Sequence, residues 1–241
     1  MPRMPPAHRR CTIAALSIVA LLVAAPASAQ IVQSVQIGGG MFFPRGFDSR
    51  NDADTLVADL TIDPTLAFDV DWFRNYQIFG EWNLQTGNHL EFSVGVGFYR
   101  STDIFSHYRF PVDGLLAGQV LRLRIIPVTA VVRFFPFGSV HTVQPFVGAG
   151  LGMFSWTYSE SGAFLDPSDN TVFSDEFRAH GDTAGHVALF GVRVPAGTHA
   201  FNFEWRYQSG LGKTGGLAAG FLGDRIDLGG GTIMIGFVGR F

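Results

Sequence analysis

The eight residues from Phe201 to Gln208, with the sequence FNFEWRYQ, alternate strictly between aromatic and polar side chains. A period of two is the pattern of a β-strand whose two faces meet different surroundings. One face of this strand carries Phe201, Phe203, Trp205 and Tyr207, and the other carries Asn202, Glu204, Arg206 and Gln208. The stretch therefore predicts a strand with one apolar face and one charged face.

The same alternation recurs along the chain in segments of about ten residues. Short connections at 86–89, 137–142 and 195–199 alternate with long polar ones at 44–73, 101–118, 157–178 and 210–225. This order of short and long connections is typical of an antiparallel barrel that spans a membrane. The pattern predicts eight strands, at 31–43, 74–85, 89–100, 119–135, 143–156, 179–194, 199–209 and 226–241. A ten-strand barrel that uses Thr55 to Thr61 is the alternative.

Alternation alone also fits a soluble sandwich, whose apolar face lies inside. Small residues on the polar face favour the barrel, because a narrow lumen needs room for its few long side chains. These glycines are Gly95, Gly97, Gly148, Gly150, Gly152 and Gly236. We therefore expect an all-β fold, an eight-stranded antiparallel up-and-down transmembrane barrel with apolar side chains on lipid and charged ones in the lumen.

The apolar register changes within the fourth predicted strand, from Leu121, Leu123 and Ile125 to Ile126 and Val128. Proline cannot donate a ladder hydrogen bond and is often found at bulges. The sequence therefore predicts a β-bulge near 125–127, where Pro127 lies, and a similar slip at 190–191.

The first 29 residues have the three regions of a secretory signal peptide. Arg3, Arg9 and Arg10 come first, an apolar run covers 12–25, and Ala27-Ser28-Ala29 has the small-x-small pattern of a cleavage site. The sequence thus predicts a cleaved signal peptide at 1–29 and a barrel domain at 30–241. We expect export through the periplasm to the outer membrane of a Gram-negative-type envelope.

Composition excludes several functions for the mature chain. Cys11 is the only cysteine and lies in the signal peptide, so no disulfide or thiolate chemistry remains after cleavage. Loss of the three arginines changes the formal net charge from −3 to −6, which does not suit nucleic acid. No apolar run reaches the roughly 18 residues of a transmembrane helix.

The polar faces of the predicted strands would place six charged side chains in the lumen. An outward arginine would cost roughly 2–4 kcal/mol near the middle of the bilayer. We expect the inward charges to pair and to fill the lumen, because unpaired charges in a narrow, dry space are unfavourable. They are Glu81, Glu91, Arg133, Glu204, Arg206 and Arg240. The alternative is a narrow, porin-like channel whose charges select ions.

Catalytic and metal-binding patterns are weak. Ser106-His107 lies in a predicted loop, and His180 and His186 open the sixth strand, without the spacing of a known hydrolase motif. The aspartates between 45 and 71 lack the ordered spacing of a calcium loop. We expect no enzyme activity, metal or cofactor; a lipid A-modifying hydrolase is kept as an alternative.

Three stretches resemble the bacterial outer-membrane β-barrel family of small OmpA-like and OmpW-like barrels. They are Gln144 to Gly152 (QPFVGAGLG), Ile126 to Phe134 (IPVTAVVRF) and the ending Phe237 to Phe241 (FVGRF). The resemblance implies fold and compartment and carries no active site. The terminal Phe241 also resembles the signal that such barrels present to the barrel-insertion machinery.

We therefore expect a structural or surface-interaction barrel, monomeric, with outer-membrane lipid and the insertion machinery as partners and without nucleic acid. A channel or binder of small apolar molecules is the second expectation.

Overall fold

The computed structural model describes residues 31–61, 66–108, 118–165 and 171–241. The expected signal peptide, 1–29, lies outside the described residues. The described strands are β1 (Ile31–Pro44), β2 (Leu66–Ala67), β3 (Asn75–Thr86), β4 (Leu90–Arg100), β5 (Ile104–Tyr108), β6 (Gly118–Phe134), β7 (Gln144–Leu165), β8 (Val172–Ala196), β9 (His199–Lys213), β10 (Arg225–Asp227) and β11 (Gly230–Arg240). Helix α1 covers Thr55–Thr61, and short 3-10 turns cover Phe47–Ser49, Val70–Phe73 and Gly216–Ala219.

Eight of these strands form a closed ring. β1, β3, β4, β6, β7, β8, β9 and β11 each pair with their neighbours in this order, and β11 returns to β1 in antiparallel register, with Ile37 opposite Phe237. The predicted eight-stranded up-and-down barrel is confirmed. The ten-strand alternative is wrong, because Thr55–Thr61 forms α1, whose first turn is capped by the Asp54 carboxylate at 2.9 Å from the Leu56 amide.

The two faces of the barrel wall are inverted relative to a soluble protein. On β4 the apolar residues at 90, 92, 94, 96 and 98 are all between 39% and 54% exposed, whereas Glu91 is 1% and Ser93 3% exposed. On β9, Phe203 is 51% exposed and its neighbour Glu204 is 3% exposed. Since burying charge and exposing aromatic surface is stable only when the outer medium is apolar, the barrel spans a membrane.

The outward apolar side chains form a band that ends partway along the longest strands. On β7 the outward residues are apolar from Pro145 to Met153 and then change to Ser155, Thr157 and Ser159. About nine residues match the length of a tilted strand across a bilayer. We take 145–153 as the membrane-spanning segment of β7, with 126–134 of β6 and 184–194 of β8 beside it. These three strands continue beyond the band.

The predicted bulge is wrong. Leu90 pairs with Phe134 and Arg100 with Arg124, so the register between β4 and β6 is the same on both sides of Pro127. The pairs of Gly97 and Phe98 are missing, because proline has no amide hydrogen to donate. The slip at 190–191 is also wrong, since the β7–β8 register is continuous.

The apolar residues that suggested the bulge point inward to a second core. Leu121, Leu123 and Ile125 are each at most 1% exposed and pack beneath the connections at this end of the barrel. We call residues 45–61, 66–74 and 214–229 the cap. Its buried apolar side chains are Leu56, Leu60, Leu66, Val70, Phe73, Phe221, Ile226 and Leu228. None of the described helices has the length and apolar character needed to cross a membrane.

Candidate functional site

The charged side chains of the wall meet inside the barrel, between the short turns and the cap. Five of the six residues expected there lie in one network: Glu81 on β3, Glu91 on β4, Arg133 on β6, and Glu204 and Arg206 on β9. Each occupies an inward position of its strand and is at most 7% exposed. Because the strands come from all round the ring, their ion pairs cross the lumen.

Arg133 is the centre of this network. Its guanidinium donates to Glu81 Oε2 at 2.6 Å and to Glu204 Oε2 at 3.0 Å, and it lies 3.4 Å from Glu91 Oε1. It also donates to the hydroxyl of Ser93. One fully buried cation thus contacts three carboxylates on three strands, and charge-assisted hydrogen bonds of this kind are the strong ones.

Arg193 completes the network and was missed in the sequence. Its Nη1 and Nη2 donate to the two oxygens of Glu91 at 2.6 and 2.8 Å, and its Nε donates to Asn202 at 2.9 Å. The available signal was its position between Val192 and Val194, which face outward on β8. Because a slip was expected at 190–191, the alternation was not continued to Arg193, and the arginine was not assigned to the lumen.

The network is balanced in charge. Arg206 donates to Glu204 Oε1 at 2.8 Å and to Glu81. The three carboxylates at 81, 91 and 204 therefore face three guanidinium groups at 133, 193 and 206. Balance matters here because a surplus charge of either sign would be buried without compensation.

Arg240, the sixth residue expected in the network, is not part of it. It lies at the end of β11, is only half-buried, and makes no ion pair with the residues that the structure describes. Its strand instead presents the apolar Met234 and Val238 to the lumen, at 1% and 0% exposed.

Gly95 provides the space that Glu81 occupies. A Cβ at position 95 would lie 2.5 Å from Glu81 Cγ and 2.9 Å from the Gly80 carbonyl oxygen. We expect Gly95→Ala to lower the free energy of unfolding by about 1–3 kcal/mol, because overpacking displaces Glu81 from its arginines. Urea titration in detergent micelles measures the change. Gly46→Ala is the control, since nothing lies within 4 Å of its added Cβ; equal effects at both positions would contradict this account of Gly95.

A second polar cluster holds the cap together, outside the membrane-spanning segments. The Arg50 guanidinium binds both oxygens of Asp54 at 3.0 Å, and Asp54 also accepts from the Asp227 amide. Asp59 accepts from the amides of Leu222 and Gly223 at 2.7 and 3.2 Å. These bonds fix the connection after β1 to the connection before β11.

Glu160 lies beneath this cluster, on the part of β7 beyond the membrane. It is 3% exposed and accepts a hydrogen bond from the Tyr158 hydroxyl at 2.6 Å. Burial, together with the nearby charge of Asp59, raises the pKa of Glu160 to about 8. Burial also raises the pKa of Asp59 to about 6, against the lowering by its two amide donors.

The serine and histidine residues considered for catalysis are not brought together. Ser106 points inward and donates to the Ala67 carbonyl at 3.0 Å, whereas the adjacent His107 is exposed on the other face of β5. His186 is exposed on β8 opposite Ser209, whose hydroxyl lies 3.5 Å from Arg45. Within the described ranges, no group of three or more histidine or acidic residues is arranged to hold a metal ion.

Comparisons with known proteins give structural neighbours only. No protein-family model matches the chain, and no curated protein matches it significantly. Neisserial surface protein A is 14% identical over 88% of this chain and 96% of its own, with a TM-score of 0.43. Ail from Yersinia pestis, in complex with the heparin analogue sucrose octasulfate, is 14% identical over 88% and 99%, with a TM-score of 0.41.

The N-terminal β-barrel domain of Pseudomonas aeruginosa OprF is 10% identical over 87% of this chain and 97% of its own, with a TM-score of 0.38. All three neighbours are small outer-membrane barrels, the class that the sequence resembles. The closed ring of eight strands and the inverted wall by themselves give the fold of an eight-stranded transmembrane β-barrel.

Proposed function

We propose that the protein is a non-catalytic, monomeric outer-membrane barrel that serves as a rigid support for a folded cap at the cell surface. The observation that carries this proposal is that side chains fill the interior of the barrel at two levels. The charge-balanced network fills the membrane level, and the apolar core beneath the cap fills the level beyond it. An eight-stranded barrel has a lumen that side chains just fill, so filling favours support over transport.

The cap contributes a surface of defined shape. Its 3-10 turns, α1 and β10 are joined by buried hydrogen bonds, including Thr55 Oγ1 to the Gly223 carbonyl at 3.0 Å. Ordered connections lose less conformational entropy when a partner binds than unstructured ones do. This supports an interaction role for the cap over a merely protective one.

The channel alternative rests on whether the network opens. The cavity beside Glu81 and Arg206 has a volume of about 10 Å³, which is space for about one water molecule. We therefore expect no stepwise single-channel currents from the mature protein in planar bilayers. Stepwise currents whose ion selectivity changes in Glu204→Gln would overturn the proposal in favour of a channel.

The hydrolase alternative has a separate test. Lipid A incubated with the reconstituted protein is expected to keep all its acyl chains, as mass spectrometry measures. Acyl loss that disappears in His186→Ala or Ser209→Ala would establish an enzyme.

A further inference from the structure

Four arginines face outward where the apolar band ends on the cap side. Arg100 on β4, Arg122 and Arg124 on β6, and Arg178 on β8 occupy outward positions, with His180 beside them. We call these five residues the arginine belt. The row below it contains Phe98 and Ile126 beside the polar Ser155 and Asp182, and the next contains Val96, Val128 and Met153, which are all apolar. The belt therefore lies at the level of lipid headgroups.

The belt has more positive charge than its own neighbours neutralise. Arg122 is paired with Asp103 at 2.7 and 3.1 Å. Arg100, Arg124 and Arg178 have no carboxylate within 4.0 Å among the residues that the structure describes. Arg100 and Arg124 are also direct cross-strand partners, an arrangement of like charges that destabilises a sheet unless an anion lies between them.

Short hydroxyl side chains cover the outer surface of the barrel between the arginines. Ser155, Thr157 and Ser159 alternate on the outward face of β7, between β6 and β8. Arg124 donates to Thr157 Oγ1 at 3.0 Å. Two adjoining shallow clefts share Arg124, Thr157 and Arg178 in their walls. Three carboxylates, Asp103, Glu176 and Asp182, also line them, against the four arginines of the belt. Guanidinium groups around hydroxyls are the groups that bind phosphate oxygens.

We propose that the arginine belt binds the phosphate groups of a phosphorylated glycolipid, lipid A, in the outer leaflet of the membrane. The position of the belt decides between possible anions: a ligand at the edge of the apolar band reaches the arginines with its headgroup while its acyl chains cover the exposed Val96, Val128 and Met153. A soluble polyanion would meet the same charges without that second contact. The proposal rests on the proposed function in one respect, that the cap side of the barrel is at the cell surface, and its test does not depend on what the cap binds.

The test compares binding of lipid A by the mature protein in phosphatidylcholine nanodiscs. The test variant is Arg100→Gln/Arg124→Gln/Arg178→Gln, and the matched control is Arg74→Gln/Lys213→Gln/Arg225→Gln, which removes three exposed cations outside the belt. We expect the belt variant to bind diphosphoryl lipid A at least about tenfold more weakly than the native protein, since each lost charge-assisted contact weakens binding. The control variant should bind diphosphoryl lipid A as tightly as the native protein does. Dephosphorylated lipid A should bind the native protein and both variants equally.

Other results distinguish the sources of phosphate. Competition by millimolar inorganic phosphate in neutral nanodiscs would indicate a site for a soluble anion and would overturn the lipid assignment. Heparin binding that depends on the belt, together with lipid A binding that does not, would overturn it as well. Equal loss of lipid A binding in both triple variants would show a general charge effect and would also overturn it. The heat-dependent shift of each variant on gels confirms that it is folded, so that a failure to insert is not mistaken for a failure to bind.

Discussion

Replacing Arg133 with methionine is expected to lower the free energy of unfolding by roughly 3–5 kcal/mol, which is the usual cost of leaving a buried charge without its partner. Methionine keeps much of the length of the side chain but removes the guanidinium that contacts Glu81, Glu91 and Glu204. Arg193 and Arg206 would remain, so three buried carboxylates would share two cations. The midpoint of urea unfolding in lipid vesicles, followed by the gel shift of the folded barrel, measures the loss.

Two controls separate the network from a general effect of charge. Lys213→Met removes an exposed cation and should change the free energy of unfolding by less than about 0.5 kcal/mol. Adding Glu204→Gln to Arg133→Met should recover part of the loss, because it restores the balance of charge in the lumen. An unfolding midpoint unchanged by Arg133→Met would contradict the account of the lumen.

Raising the pH from 5 to 9 is expected to loosen the cap by several kcal/mol. The pKa of Glu160 is raised to about 8, so the folded state favours the neutral acid, whereas the unfolded carboxyl has its ordinary value. This contribution to stability is fully present below about pH 4.5 and is lost as the pH rises through about 8. Once ionised, Glu160 faces the carboxylate of Asp59, and the nearby cation Arg50 is already bound to Asp54.

The protection factors of the α1 amides in hydrogen exchange, corrected for the intrinsic rate at each pH, measure this loosening. They should fall as the pH rises through about 8 in the native protein, whereas in Glu160→Gln only the smaller fall near pH 6, which comes from Asp59, should remain. Asp52→Asn, at an exposed position of the cap, should keep the native pH dependence. The same fall in Glu160→Gln as in the native protein would show that another group is responsible.

The wall of the barrel was predictable because lipid imposes one rule on every strand. Where the outward face meets lipid and the inward face meets the network, as on β4 and β9, alternation gives both the strand and the direction of its side chains. The five charged residues found together follow from that rule. Arg240 does not, because it lies half-exposed at the end of β11, where its cross-strand partner on β1 is Ser34 and not a carboxylate.

The half of the barrel next to the cap was not predictable in the same way, because its outward face does not meet lipid. Beyond the membrane the outward face meets water, so inward Leu121, Leu123 and Ile125 carry the apolar residues and the outward positions become polar. The strand keeps one register throughout, but its apolar residues change from the inward to the outward face where it enters the membrane. This change in the sequence pattern was interpreted as a bulge. The α-helix at Thr55–Thr61 depends on contacts with distant residues such as Gly223, which no local pattern reveals.

The direction of the side chains is the claim on which the rest depends, and fluorescence quenching by lipids brominated on their acyl chains tests it most directly. The chain has four tryptophans, so two variants that keep only Trp205 or only Trp156 are made by replacing the others with phenylalanine. Trp205 is outward and 37% exposed, whereas Trp156 is inward and 2% exposed beneath the cap. The account predicts strong quenching of Trp205 and little of Trp156; an unquenched Trp205 in a folded, bilayer-reconstituted protein would contradict it.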